Sequence, residues 1–158
     1  MDFWSIVRLR EEKYPISMIA QHQTAPWLDE PRAYPAPHPS ILVADDDPYV
    51  VRLLKQYLEL AGYDVACAYD GMHAMHMARE RRFDLIILDI NMPTTNGYKV
   101  LESLRTRPAT AYTPVIIVTA APSRDVYPHV VNDPRASYIK KPLDIESLNS
   151  LIRHYLKH

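Results

Sequence analysis

The chain has 158 residues, of which 47% are apolar, a formal net charge of −1 and a single cysteine. That is enough for one folded domain with something to spare, and it gives no global field to draw nucleic acid or an anionic membrane. Cys67 alone excludes an internal disulfide and suits a reducing cytoplasm. No apolar run approaches the ~20 residues of a membrane span. The start "MDFWSIVRLREEKYP" lacks the basic-then-apolar order of a signal peptide.

Residues 1–39 hold six of the fourteen prolines and none of the three glycines. The stretch "PWLDEPRAYPAPHPS" is too proline-rich for a helix or central strand and reads as an extended, polyproline-like linker. Phe3, Trp4, Tyr14, Trp27 and Tyr34 are more aromatic residues than a disordered tail usually carries. Residues 3–13 suit a short helix after Asp2, ended before Pro15. The arm is expected to dock, on its own domain or on a partner. The compositional break at Ser40 separates this extension, 1–39, from a domain at 40–158.

From Ser40 onward two periods alternate. "ILVA" (41–44) is a buried-strand run, and "PYVVRLLKQYLELAG" (48–62) has helical spacing between Pro48 and the terminator Gly62. "YDVACA" (63–68) alternates as a strand, and "DGMHAMHMARERR" (70–82) is a helix with Ala74, Met75 and Ala78 inward. "DLIILDI" (84–90) is a strongly buried strand, followed by a helix at "GYKVLESLR" (97–105). "PVIIVTA" (114–120) and "ASYIK" (136–140) complete five strands, and "DIESLNSLIRHYLKH" (144–158) is a closing amphipathic helix. Strands alternating with helices predict a parallel sheet covered on both faces. Such sheets bind ligands beyond the carboxyl ends of their strands.

The first strand ends in Asp45, Asp46 and Asp47, the third in Asp89, the fourth in Thr119, and the fifth is followed by Lys140, Lys141 and Pro142. Parallel neighbours would bring these groups to one edge. Several carboxylates are tolerable together when a cation sits between them, and an oxygen-only donor set favours a hard ion such as Mg²⁺. "DDDP" on its own reads first as a solvated turn. Asp47, just before Pro48, is expected to cap the helix that follows. Asp89 could also serve a turn, since Pro93, Asn96 and Gly97 follow it. Beside a divalent ion and a lysine, however, it is a competent nucleophile toward phosphorus. Lys141 would neutralise charge on a transferring phosphoryl group, and Thr119 could donate a hydroxyl to it.

The pieces "ILVADDDP", "DLIILDINMPTTNGYKVLESLR", "TPVIIVTA" and "YIKKPLD" together resemble a response-regulator receiver domain of two-component signalling, over about residues 40–158. The resemblance implies the flavodoxin-like α/β fold, a five-stranded parallel sheet in the order 2-1-3-4-5 with helices on both faces. It implies that Asp89 is the phospho-acceptor and that Asp45 and Asp46 are the acidic pair for Mg²⁺, Asp46 more directly. Asn91 would lend the ion its backbone carbonyl. Thr119 matches the switch hydroxyl, Lys141 the site lysine and Tyr138 the aromatic switch, while Lys140 is expected to be a surface charge. The expected partners are a sensor histidine kinase or phosphotransfer protein and a downstream protein, with no direct nucleic-acid or membrane binding. Homodimerisation is left open.

Two departures stand out. "APSRDVYPHVVNDPRAS" carries Pro122, Pro128 and Pro134 where the fourth helix belongs. Proline in a helix interior removes a donor and clashes with the preceding turn. The expectation is a shortened or irregular helix between Pro122 and Pro134; the alternative is a regular helix with Pro128 in its first turn. Arg135 also stands where the family usually has glycine. His73 and His76 could bind a metal but are expected to be a polar helix face, and Met72, Met75 and Met77 to be packing. His22, His38, His129, His154 and His158 form no readable set.

The function expected is a phosphorylation-controlled binding module with room for no output domain. It would act on itself, through phosphorylation and dephosphorylation, and not as an enzyme on an outside metabolite. The alternative is a scaffold that no longer uses phosphorylation; intact Asp46, Asp89, Thr119 and Lys141 argue against it. An aspartyl-phosphate phosphatase would want an acid where Asn91 stands. A flavin protein would want a neutral phosphate loop where the three aspartates stand.

Overall fold

The computed structural model describes residues 38–93 and 95–156. The expected helix at 3–13 and the linker up to residue 37 lie outside them. Five strands, β1 (Ser40–Ala44), β2 (Asp64–Ala68), β3 (Leu85–Leu88), β4 (Val115–Thr119) and β5 (Ala136–Lys140), alternate with five helices. The helices are α1 (Pro48–Leu60), α2 (Gly71–Glu80), α3 (Gly97–Arg105), α4 (Ser123–Val130) and α5 (Ile145–Tyr155). The strands form one parallel sheet in the order β2-β1-β3-β4-β5, the flavodoxin-like arrangement expected from the sequence.

Alternation within the central strands feeds two cores. Leu42, Ile86, Leu88 and Ile117 face Ala74 and Ala78 of α2, Val100 and Leu104 of α3 and Val126 of α4. Ile41, Val43, Ile87 and Ile116 face Val51, Leu54 and Leu58 of α1 and Leu148 and Ile152 of α5. The sheet thus has three helices on one side and two on the other. Both faces of β1, β3 and β4 are buried, which is why their sequences are apolar throughout and not alternating.

The element ends follow from local chemistry. Asp47 caps α1 as expected, accepting the Tyr49 N–H at 2.8 Å, with Pro48 in the first turn. That helix stops at Leu60, short of the predicted end, because Gly62 turns the chain at φ 93° and the Tyr63 N–H returns to the Leu58 carbonyl. Asp70 and Asp144 lie outside α2 and α5 as caps, bonded to the N–H groups of His73 and Ser147. Strand β3 ends at Leu88, two residues earlier than read, since the Asp89 carboxylate takes the Asn91 N–H and bends the chain away.

Helix α4 has eight residues, which bears out the shortened helix. Pro128 nevertheless lies inside it, in its second turn, and the helix continues past it to Val130. The chain tolerates this because the carbonyl deprived of its partner belongs to Arg124, which is exposed. Only Val126 of α4 is buried. A second anchor is Tyr98, which stacks on His129 at 3.8 Å and donates its hydroxyl to the Asp125 carbonyl. Arg135 is accommodated too. Its guanidinium lies over the Tyr112 ring at 4.8 Å, and its carbonyl accepts from the Val115 N–H and from Arg105. Among the described residues no helix is long and apolar enough to cross a membrane.

Candidate functional site

The sheet order places β1 beside β3, β3 beside β4 and β4 beside β5, so their carboxyl ends share one edge. Asp45 continues β1, its N–H bonded to the Ala68 carbonyl, and Asp89 continues β3, its N–H bonded to the Ala44 carbonyl at 2.8 Å. Both side chains are buried, at 4% and 5% exposure. Lys141 follows β5, anchored by its N–H to the Thr119 carbonyl. Its ammonium donates to Asp45 Oδ2 at 2.7 Å and to Asp89 Oδ2 at 2.8 Å. The remaining oxygens are held by backbone: Asp45 Oδ1 accepts the Asp47 N–H and Asp89 Oδ1 the Asn91 N–H.

Asp46 is exposed at the mouth. One carboxylate oxygen from each of Asp45, Asp46 and Asp89 lies within 4.8 Å of the others. Thr119 ends β4 fully buried, its hydroxyl oxygen accepting the Ala121 N–H at 3.2 Å. Tyr138 pairs in register with Ile117 and packs half-buried against the core under α2, α3 and α4. Asn91 and Lys140 are exposed.

Burial pushes the Asp45 carboxyl above its ordinary value, and the hydrogen bonds from Lys141 and the Asp47 amide only partly offset it. For Lys141 burial pulls the ammonium down, but the bonds to Asp45 and Asp89 outweigh it and the net shift is upward. The lysine is therefore a fixed cation between two carboxylates.

Sequence reading placed Asp45 with the metal ligands and did not show that one of its oxygens belongs to Lys141. It also passed over Gly97, which it took as a turn residue. A Cβ there would press on the Asp89 carbonyl oxygen and lie 2.7 Å from Ile90 Cα. Gly97 thus lets the first turn of α3 lie against the backbone that carries Asp89. The only signal was a glycine at the first position of a helix otherwise rich in good formers. The remaining candidates stay apart from the site. His73, His76 and Met72 are exposed on α2, and Met75 and Met77 pack half-buried on the core. Cys67 lies half-buried in β2, its thiol pushed up by burial.

Residues 41–153 match the family model described as the response regulator receiver domain. The chain belongs to that family. Among curated relatives, the DNA-binding dual master transcriptional regulator RpaA of a Synechocystis species is 35% identical over 119 residues, 75% of this chain and 49% of that protein. The polar-differentiation response regulator DivK of Brucella anthropi is 29% identical, over 74% of this chain and 95% of that protein. The receiver domain of Francisella response regulator 1452 superposes with a TM-score of 0.69 at 31% identity, covering 76% of this chain and 98% of that one. This receiver spans about half the length of several curated relatives it matches, RpaA among them.

Proposed function

We propose that this receiver is a phosphorylation-controlled signalling module that accepts a phosphoryl group on Asp89 with Mg²⁺ present. The observation that carries this reading is the Lys141 ammonium bridging Asp45 and Asp89 beside the Asp46 carboxylate. The donors near Asp46 are all oxygens, which suits a hard ion. One oxygen from each of Asp45, Asp46 and Asp89 lies within 4.8 Å of the others, close enough for the three carboxylates to share one divalent ion after small adjustment. Asp46 would be the most direct ligand, and Asp45, Asp89 and the Asn91 carbonyl would complete the protein's share. When bound, the ion supplies charge neutralisation for the phosphoryl oxygens.

The chain's own groups do the rest. An Asp89 oxygen attacks phosphorus in line; its O–P bond forms as the N–P bond of a phosphohistidine breaks, and the departing imidazole keeps the electron pair. Lys141 is already hydrogen-bonded to Asp89 and needs little movement to bond a phosphoryl oxygen. The Thr119 oxygen is occupied by the Ala121 amide, so its proton is the one available for the adduct. Drawing Thr119 toward it vacates space for Tyr138, a local charge biasing a two-state surface. Attack of water on the same phosphorus releases phosphate and restores the carboxylate, so the only chemistry is on itself. The module would work in the cytoplasm between a sensor kinase or phosphotransfer protein and a downstream protein. Its domain is residues 40–158, with 1–39 as an extension.

The test is intact mass after incubation with a small phosphodonor and Mg²⁺. The protein should gain one phosphoryl group, Asp89→Asn none, and Asp46→Ala less, with Asp45 partly compensating. An unchanged wild-type mass beside a labelled control receiver overturns the reading.

A further inference from the structure

Asp89 and Asn91 belong to the segment that joins β3 to α3. Close to the sheet this segment is tied to itself: the Met92 and Gly97 N–H groups both bond to the Ile90 carbonyl at 3.0 Å. Farther along, the Thr95 N–H bonds to the Pro93 carbonyl at 2.7 Å. Met92 and Thr95 are both buried. What lies against Thr95 is the first residue of α2. A Cβ on Gly71 would lie 2.5 Å from the Thr95 carbonyl oxygen, 2.9 Å from Thr95 Cβ and 3.0 Å from Val100 Cγ2. Gly71 does not have a positive φ, so space alone excludes a side chain there. Helix α2 is fixed on its own account, because Asp70 caps it and Ala74 and Ala78 are packed in the core.

We propose that Gly71 is a positioning residue for the metal ligands: the bare backbone of α2 is the stop against which Thr95 rests, and that stop sets where the Asn91 carbonyl stands. The proposal rests on the reading that the site takes Mg²⁺. Ordinary contact begins near 3.4 Å, so a Cβ at position 71 obliges the Thr95 carbonyl to retreat by about 0.9 Å. The bonds from Thr95 to Pro93 and from Met92 to Ile90 leave little slack between Thr95 and Asn91, and the Asn91 carbonyl moves with them. Mg²⁺ demands oxygen ligands at about 2.0–2.1 Å in a near-ideal octahedron, whereas Ca²⁺ accepts about 2.3–2.6 Å and irregular geometry. A carbonyl displaced by a fraction of an ångström is thus lost to Mg²⁺ and kept by Ca²⁺. A residue that only supported the fold would affect both ions alike.

Calorimetric titration of the full chain with Mg²⁺ and, separately, with Ca²⁺ tests it. Gly71→Ala should weaken Mg²⁺ binding by at least about tenfold and Ca²⁺ binding by less than about threefold. Ala78→Gly, which destabilises the same helix from its buried face, should leave the ratio of the two affinities unchanged. If Gly71→Ala melts below the assay temperature, Thr95→Gly takes its place. It removes the Cβ that rests on α2 without creating a clash, and the same Mg²⁺-selective loss is expected. Equal weakening of both ions, or wild-type affinity for Mg²⁺, overturns the proposal and leaves the phosphorylation reading standing. A wild-type chain that binds no Mg²⁺ overturns both.

Discussion

Replacing Lys141 with methionine keeps the stem and deletes the charge. Asp45 and Asp89 would then lie side by side, 4% and 5% exposed, with no cation between them. Oxygens of the two lie at most 4.8 Å apart. At an effective dielectric of 20, two unit charges at that separation repel by about 3.5 kcal/mol, in line with the ~3–5 kcal/mol of breaking a buried pair. Lys141 is 23% exposed, so screening by water trims the figure, and we expect a loss of about 2–3 kcal/mol at pH 7.5 in chelator. The sign with pH is opposite to that of most damage. Burial already raises the Asp45 carboxyl, and without the ammonium it ionises still less readily in the folded chain than in the unfolded one. The penalty is therefore full above the raised Asp45 value and shrinks as pH falls toward about 4.5. Urea midpoints of both proteins at the two pH values measure it. Equal stability at pH 7.5, or a deficit that does not narrow on acidification, would refute the reasoning. The wild type itself should lose stability as pH rises past 10.5, the ordinary lysine value, and through the raised folded one.

Gly97→Ala should cost about 1–3 kcal/mol and slow phosphorylation, since the Asp89 backbone has to yield; wild-type labelling kinetics would contradict this. Pro128→Ala restores the donor that Arg124 lacks and should raise amide protection in α4, read by hydrogen exchange, with a stability gain of about 1 kcal/mol. Arg105 pairs with Asp133 at 2.6 Å and donates to the Thr113 and Arg135 carbonyls. Arg105→Ala should lower stability by about 2–3 kcal/mol, seen as a lower urea midpoint.

The fold was legible because β1, β3 and β4 are apolar without interruption while α1, α2, α3 and α5 each show a helical period. That contrast alone implies a two-sided parallel sheet, and with it the shared edge where Asp45, Asp46, Asp89 and Lys141 meet. Pairing within the edge was not legible. That Lys141 spans Asp45 and Asp89 depends on reach and burial, which no spacing encodes. The reason for Gly97 was equally hidden, because it lies in backbone seven residues upstream. Pro128 misled as a helix breaker, since propensity does not know that the freed Arg124 carbonyl faces water.

The burial of the central strands also bears on what happens when the protein unfolds. "ILVA", "LIIL" and "VIIV" carry no charge and no proline, the composition of segments that stack into aggregates. In the folded chain none of them is an edge. That position falls to β2 and β5, which carry Asp64 and Lys140 and are only partly buried, a polar border that discourages strand addition. The protection is lost with the sheet. Heat-unfolded chains should therefore aggregate before they refold, and β4 should be found at the heart of the deposit.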